Sequence, residues 1–356
     1  MTWRVRRFKA GSHGMSRRPY RLPAGERPFL EVASLGRSGP TGGQFSPAQI
    51  EQIRRTVRRT PEVMVKVTGG GTKAGAVVAH FAYISRQGKL EIEIDDGERI
   101  AGKDAQRAFL AGWHLELSAG QYRDPHDQRT DARKTKLVHN IVLSMPAPTP
   151  PDKVLAAART FAREKFGIRH RYALVLHTDQ AHPHVHLVVK AEDLHGRRLH
   201  IGKPMLREWR EDFARMMREQ GIAANATPRV VRGRNKGKKH DGILRAQGQR
   251  DSNALREKVT MIAAELMKNG RFTEPAARAK LIETRKAVVA NWLKIAATLG
   301  CQGEVILAGD VRYFAKHLPP VLSDTERLAA KFSQHLAASR DAPRLRESRD
   351  VDVPVR

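Results

Sequence analysis

The segment His177-Thr178-Asp179-Gln180-Ala181-His182-Pro183-His184-Val185-His186-Leu187-Val188-Val189 places four histidines and one aspartate within ten residues, between two apolar runs. Upstream, Arg171-Tyr172-Ala173-Leu174-Val175-Leu176 reads as a buried strand. Downstream, Val185, Leu187 and Val189 alternate with His184, His186 and Val188, the period of a second strand. Successive side chains of a strand point to opposite faces, so His184 and His186 share one face while Val185 and Leu187 pack behind them. If the six residues between His177 and His184 close an antiparallel hairpin, His177 stands across from His184. Three imidazoles then converge as a divalent cation requires. The plain alternative is a polar hairpin whose histidines titrate in solvent, but so dense a cluster wedged between hydrophobic strands favours a metal site.

The rest of the composition narrows the ligands and the partner. A single cysteine, Cys301, excludes an internal disulfide framework and a cysteine-based zinc finger, so a metal must be held by histidine and carboxylate. The chain carries 65 Lys+Arg against 37 Asp+Glu, a net charge of +28. Such an excess opposes compaction by self-repulsion and points to a polyanionic partner, nucleic acid before an anionic membrane surface. No apolar run approaches the roughly 18 to 20 residues of a membrane span. The basic N-terminus is followed by no hydrophobic stretch of a secretory signal, so a cytoplasmic protein without membrane insertion is expected.

Read in order, residues 1–61 are rich in Arg, Gly and Pro and form a basic arm expected to be disordered, apart from a short helix from Ser46 to Arg59 with a basic face of Arg54, Arg55, Arg58 and Arg59. Val63 to Val67 begins an ordered domain spanning 62–228. Thr68-Gly69-Gly70-Gly71-Thr72-Lys73 follows it and resembles a phosphate-cradling loop, although the Walker pattern is absent. A helix from Ala74 to Arg86 has Val77, Phe81 and Ile84 on its buried stripe, and local spacing alone makes Tyr83 a half-buried helix tyrosine. Strands are expected at Leu90–Ile94 and Lys136–Met145. Helices are expected at Asp104–Leu117, at Pro151–Phe166 behind a Thr149 cap, and at Pro204–Gln220. That order suits an α/β (α+β) sandwich: a central antiparallel sheet covered by helices. Residues 229–250 form a basic linker whose Arg232, Arg234, Lys236, Lys238 and Lys239 are expected to contact phosphate. Residues 251–340 read as a mostly helical domain without a catalytic constellation, with a short apolar piece at Glu304–Leu307. Residues 341–356 read as a disordered tail.

Gly69-Gly70-Gly71-Thr72-Lys73, Phe81-Ala82-Tyr83-Ile84-Ser85-Arg86, Val138 to Ser144, and His177-Thr178-Asp179 with His182-Pro183-His184-Val185-His186 occur in the order seen in plasmid relaxases. The chain resembles these mobilisation nucleases of the His-hydrophobe-His endonuclease superfamily, including those of tumour-inducing and MOBP-type conjugative plasmids, over residues 62–232. The resemblance implies site-specific nicking of one DNA strand at a transfer origin, with a 5′-phosphotyrosyl link and later religation. It implies Tyr83 as nucleophile, in place of the helix tyrosine that local spacing suggests. It places Lys73 and Ser144 near the DNA. Its implied partners are single-stranded or supercoiled plasmid DNA at the transfer origin, accessory origin-binding proteins and a type IV secretion coupling protein. The relaxase itself is expected in the cytoplasm of the donor cell, exported attached to DNA.

The chemistry agrees with this assignment. A phenol with a pKa near 10 needs a base or a cation to act as nucleophile. A divalent ion, Mg or Mn by analogy, held by His177, His184 and His186 polarises the phosphate for in-line attack. Asp179, or else His182, serves as general base or ligand orienter. Two other readings remain open at this level. His182-Pro183-His184-Val185-His186 also fits a histidine-triad nucleotide hydrolase that needs no metal, and a degenerate relaxase fold would leave a non-catalytic DNA-binding accessory protein.

Overall fold

A computed structural model describes residues 43–121, 135–234, 253–269, 272, 275–323, 325–330 and 333–334. The chain from Glu62 to Asn225 builds a six-stranded antiparallel sheet of order β1-β4-β6-β5-β2-β3. The strands are β1 (Met64–Gly69), β2 (Ile92–Ile94), β3 (Arg99–Ile100), β4 (Val138–Ser144), β5 (Tyr172–His177) and β6 (His184–Lys190). The helices are α1 (Pro47–Val57), α2 (Ala74–Ile84), α3 (Lys103–Ala111), α4 (Leu115–Gln121), α5 (Pro151–Phe166), α6 (Lys203–Glu219), α7 (Asn253–Asn269), α8 (Pro275–Cys301) and α9 (Val305–Lys316).

Both sheet faces are covered, as the apolar alternation of β4, β5 and β6 requires. Ile141, Leu143, Leu174, Val185, Leu187 and Val189 pack under α5 and α6 with Phe161, Trp209 and Phe213. Val138, Ala173, Val175 and Val188 face the other way, onto Val77, Phe81 and Ile84 of α2 and onto Trp113. The expected stripe of α2 is thus buried to 0–1% exposure. By the same parity His177, His184 and His186 emerge on the α2 face, where the sheet meets the C-terminal end of that helix.

Several local expectations are corrected. The single helix expected from Asp104 to Leu117 is broken at Gly112–His114, where His114 takes φ 50°. Trp113 is fully buried edge-on to Phe81 and Phe109, with centroids 5.7 and 5.4 Å away, and placing the indole there turns the chain. Thr149 does not cap α5: its hydroxyl donates to the Pro146 carbonyl, 2.7 Å, and Pro150 precedes the helix. The apolar piece at Glu304–Leu307 opens α9, which buries Leu307, Ala308, Val311, Phe314 and Ala315 at helical spacing.

Residues 43–61, grouped by composition with the basic arm, are folded, while 1–42 lie outside the described residues. Ser46 and Gln49 form a capping box on α1, and Phe45 and Ile53 are buried with Trp292, Leu299 and Val311 of α8 and α9. Pairing of Gln302 with the Phe45 backbone, 2.8 and 3.1 Å, ties the two segments together. The helical region therefore draws its core from both ends of the chain. Residues 341–356 lie outside the described residues.

Candidate metal centre and nucleophile

The hairpin register is the one that convergence of the histidines requires. His177 pairs directly with His184, and Val175 with His186. The three rings meet with centroids 4.4 to 5.2 Å apart. One nitrogen from each lies within 4.8 Å of the others. A cation bound at about 2.1 Å needs nitrogens somewhat closer than that, a gap that rotation of the rings can close. The donor set, three imidazoles beside one carboxylate and no thiolate, suits a divalent ion.

Neighbours fix the protonation of the ligands. His177 is 2% exposed, and its Nε2 lies 2.6 Å from the Ile84 carbonyl at the end of α2. A ring N–H must point there, so the lone pair falls on Nδ1, 3.3 Å from an Arg86 Nη and 3.9 Å from an Asp179 carboxylate oxygen. Burial pushes the pKa of His177 below that of a free imidazole, with the Arg86 charge adding to it. Burial, reinforced by His177 and His184, pushes His186 down to about 3. His184 directs Nδ1 to the His182 carbonyl, 3.1 Å. Neutral imidazoles are the form that binds metal.

Tyr83 lies on the last turn of α2 and is 58% exposed, which corrects the half-buried reading from local spacing. Its ring stacks on His80, centroids 6.3 Å apart, and the His80 ring in turn meets His186 edge-on at 6.4 Å. Arg86 places its guanidinium carbon 5.4 Å from the Tyr83 ring centroid while donating to Asp179. The sequence reading assigns no role to His80 or Arg86. The spacing of His80, three residues before Tyr83 on the same helical face, was the available signal for it; Arg86 lies past the end of α2 with φ 52°.

The remaining candidates separate. Asp179 is half-exposed and ion-paired to Arg86; burial works the other way, but that pair holds its pKa below the usual carboxylate range. His182 is turned away, its Nδ1 accepting from the Ala147 N–H at 3.1 Å, which anchors the loop after β4. Ser144, expected near the DNA, is 5% exposed, stands opposite His184, and donates to the Met145 carbonyl. Lys73 is exposed at the start of α2. The glycines before it are needed for close packing: a Cβ on Gly70 would lie 2.2 Å from the Val138 carbonyl, and one on Gly71 2.5 Å from Val77. The loop is therefore a strand-to-helix connection that the sheet requires. Arg232 is not a free phosphate contact either, being paired with Glu62 at 3.2 Å. Arg234 is exposed, and Lys236, Lys238 and Lys239 lie outside the described residues.

Residues 98–222 match the relaxase family model described as the MobA/VirD2-like nuclease domain. That span contains the three histidines, Asp179 and His182, and begins downstream of Tyr83. The T-DNA border endonuclease VirD2 of Rhizobium radiobacter is 31% identical over 186 residues, covering 48% of this chain and 43% of that protein. VirD2 of Agrobacterium fabrum is 30% identical over 186 residues, covering 48% and 41%. The alignments thus span less than half the length of these relatives. A solved structure concerned with the molecular basis of vancomycin resistance transfer in Staphylococcus aureus overlaps 48% of this chain and 99% of its own, at 11% identity and a TM-score of 0.30. The relaxase resemblance seen in the motifs is matched by the chain's sequence relatives, and the α+β sandwich carries the nuclease-domain region. Among the described residues no helix is long and apolar enough to cross a membrane.

Proposed function

We propose that the chain is a relaxase that nicks one DNA strand at a plasmid transfer origin, with Tyr83 as nucleophile and a divalent ion, Mg or Mn, on His177, His184 and His186. The observation that carries the reading is convergence. Three lone-pair-bearing imidazoles meet on the α2 face of the sheet, and the solvent-exposed tyrosine of that helix is bracketed toward them by His80 and Arg86.

The bound ion would supply Lewis-acid polarisation of the scissile phosphate. The remaining work falls to the protein. The Tyr83 oxygen attacks phosphorus, its O–P bond forms as the P–O3′ bond breaks, and the 3′ oxygen leaves to become the free 3′-OH. The phenolic proton is released to solvent or a nearby base. One phosphodiester replaces another, so the 3′-OH can reverse the step and reseal the strand. The Ile84 carbonyl keeps His177 in the tautomer that carries its lone pair on Nδ1, and Asp179 holds Arg86 beside that nitrogen. The exposure of Tyr83 suits a flexible single strand, held by backbone charge because aromatic residues make up only 6% of the chain. Plasmid DNA, accessory origin-binding proteins and a type IV secretion coupling protein are the partners this reading implies.

The test incubates the protein with Mn or Mg and overlapping single strands tiled across the DNA flanking its own gene, labelled at one end or the other. Wild type retains the label lying 3′ to the nick through denaturing electrophoresis, and Tyr83→Phe or EDTA abolishes this. Cutting with nothing attached would instead mean hydrolysis by water at the histidine cluster. Binding without cutting would mean an accessory protein.

A further inference from the structure

We propose that Arg86 is a positioning residue that locks the nucleophilic tyrosine to the metal centre, and that the left-handed turn after α2 exists to aim it. The inference rests on the reading of Tyr83 as nucleophile. It begins with the backbone: α2 ends at Ile84, and Arg86 and Gln87 then take φ 52° and 60°, followed by Gly88 at 87°. Consecutive left-handed side-chain-bearing residues each cost about 1 kcal/mol or more, so surrounding structure must hold them. That structure is present. The Ser85 hydroxyl donates to buried Gln106 at 3.0 Å and accepts from the Gly88 N–H at 3.1 Å. Gln87 N–H reaches the Ala82 carbonyl at 2.7 Å, and Leu90 N–H the Ser85 carbonyl at 2.9 Å. A Cβ on Gly88 would lie 3.1 Å from the Gly102–Lys103 backbone, so the turn is wedged against the start of α3.

The product of this turn is one guanidinium with three neighbours. It donates to Asp179, lies 3.3 Å from His177 Nδ1, and covers the Tyr83 ring at 5.4 Å. Arg86 reaches Asp179 across 93 residues of chain. An exposed tyrosine on the last turn of a helix otherwise samples several rotamers. Arg86 and His80 both lie against the ring, and both themselves touch the histidine triad. A planar fork is suited to this, since one nitrogen can serve the carboxylate while the face of the group lies over the ring.

The experiment compares wild type, Arg86→Gly, Arg86→Lys and Tyr83→Phe for rate and half-saturation in covalent attachment to the labelled single strands. NMR relaxation of ¹³C-labelled tyrosine is measured on the free proteins. Arg86→Gly relieves the left-handed strain, so its melting temperature should match or exceed wild type. Its saturating rate should nevertheless fall about 10- to 100-fold with half-saturation nearly unchanged, as misplacement of a reacting group predicts. Arg86→Lys should recover only part of the rate, and the Tyr83 ring should become more mobile in Arg86→Gly. An unchanged saturating rate or ring mobility, or a loss confined to half-saturation, overturns the positioning role, the last because it would make Arg86 a DNA contact. If wild type itself leaves no label attached, the nucleophile reading has failed, while the ring measurement still decides whether Arg86 holds Tyr83.

Discussion

His177 and His184 are directly paired residues of the β5–β6 hairpin, their ring centroids 5.1 Å apart. Register makes this a site: a slip of one residue would send His184 and His186 to the α5 face and bury them under Phe161. The same pairing sets Ser144 beside His184 on the neighbouring strand, buried.

Removing one ligand should therefore separate metal binding from DNA binding. At a Mn concentration about 100-fold above its dissociation constant, wild type should gain about 2.7 kcal/mol of stability. His186→Ala should lose that gain and show no nicking, while binding single-stranded DNA at low salt as wild type does. Thermal denaturation with and without Mn, beside a filter-binding titration, checks both arms. A variant that keeps the full metal-induced shift would remove His186 from the ligand set.

Asn225 is 2% exposed, and its amide nitrogen lies 3.1 Å from Thr56, 2.7 Å from Thr227 and 3.3 Å from Glu62. Arg232 and the Thr227 N–H also converge on Glu62. This network joins α1 to the start of β1 and to the chain beyond α6. Burial pushes the Glu62 pKa up against the pull of Arg232, so the carboxylate depends on these partners. Asn225→Ala removes the buried amide that Thr56, Thr227 and Glu62 share and should cost about 2–3 kcal/mol in urea denaturation. Nicking at a temperature where the variant is folded should be unchanged; slower nicking there would tie the network to the site.

His139 gives a pH signature away from the metal centre. It is 8% exposed, with Nε2 3.1 Å from the Leu199 carbonyl. Burial, aided by the charges of Lys136, Arg198 and His170 and opposed by that hydrogen bond, lowers its pKa from 6.5 to about 4. A base with a depressed folded pKa leaves stability intact above 6.5 and removes it as pH falls, because only the unfolded chain takes the proton. The loss between pH 6.5 and 4 should be about 3 kcal/mol. His139→Gln should be flatter over that window in denaturant titrations of metal-free protein, where His186 contributes equally to both chains. Parallel slopes would show that His139 takes up its proton in the folded state.

What was legible in the sequence was local. The period of two in β5 and β6 fixes which histidines share a face, and Val77, Phe81 and Ile84 mark the buried stripe of α2 without any tertiary information. What was not legible depends on distant partners. Arg86 is aimed by a turn whose left-handed angles its own sequence disfavours, and it meets Asp179 only after the sheet forms. Arg232 looks like one more linker cation until Glu62, far upstream, neutralises it. The glycine run before Lys73 looks like a phosphate loop because both uses ask for the same residue: a backbone bare enough for close approach.

The same limit hid the role of the segment before β1, which composition assigns to an arm. Phe45 and Ile53 are 5% and 0% exposed, and the Phe45 backbone pairs with Gln302 across 257 residues. A chain beginning at residue 62 should therefore lose about 3–5 kcal/mol of the stability of the α8–α9 region, from two buried side chains and the space they leave. A chain beginning at residue 43 keeps both side chains and should retain that stability. Urea denaturation followed by far-UV circular dichroism compares the two. Loss of the exposed Arg58 and Arg59 in the shorter chain should also weaken DNA binding more at low salt than at high salt, because exposed charges are screened. Equal midpoints in urea would leave α1 as a cationic appendage; a lower midpoint with weaker binding at every salt concentration would mean that the helical region must be folded for DNA to bind.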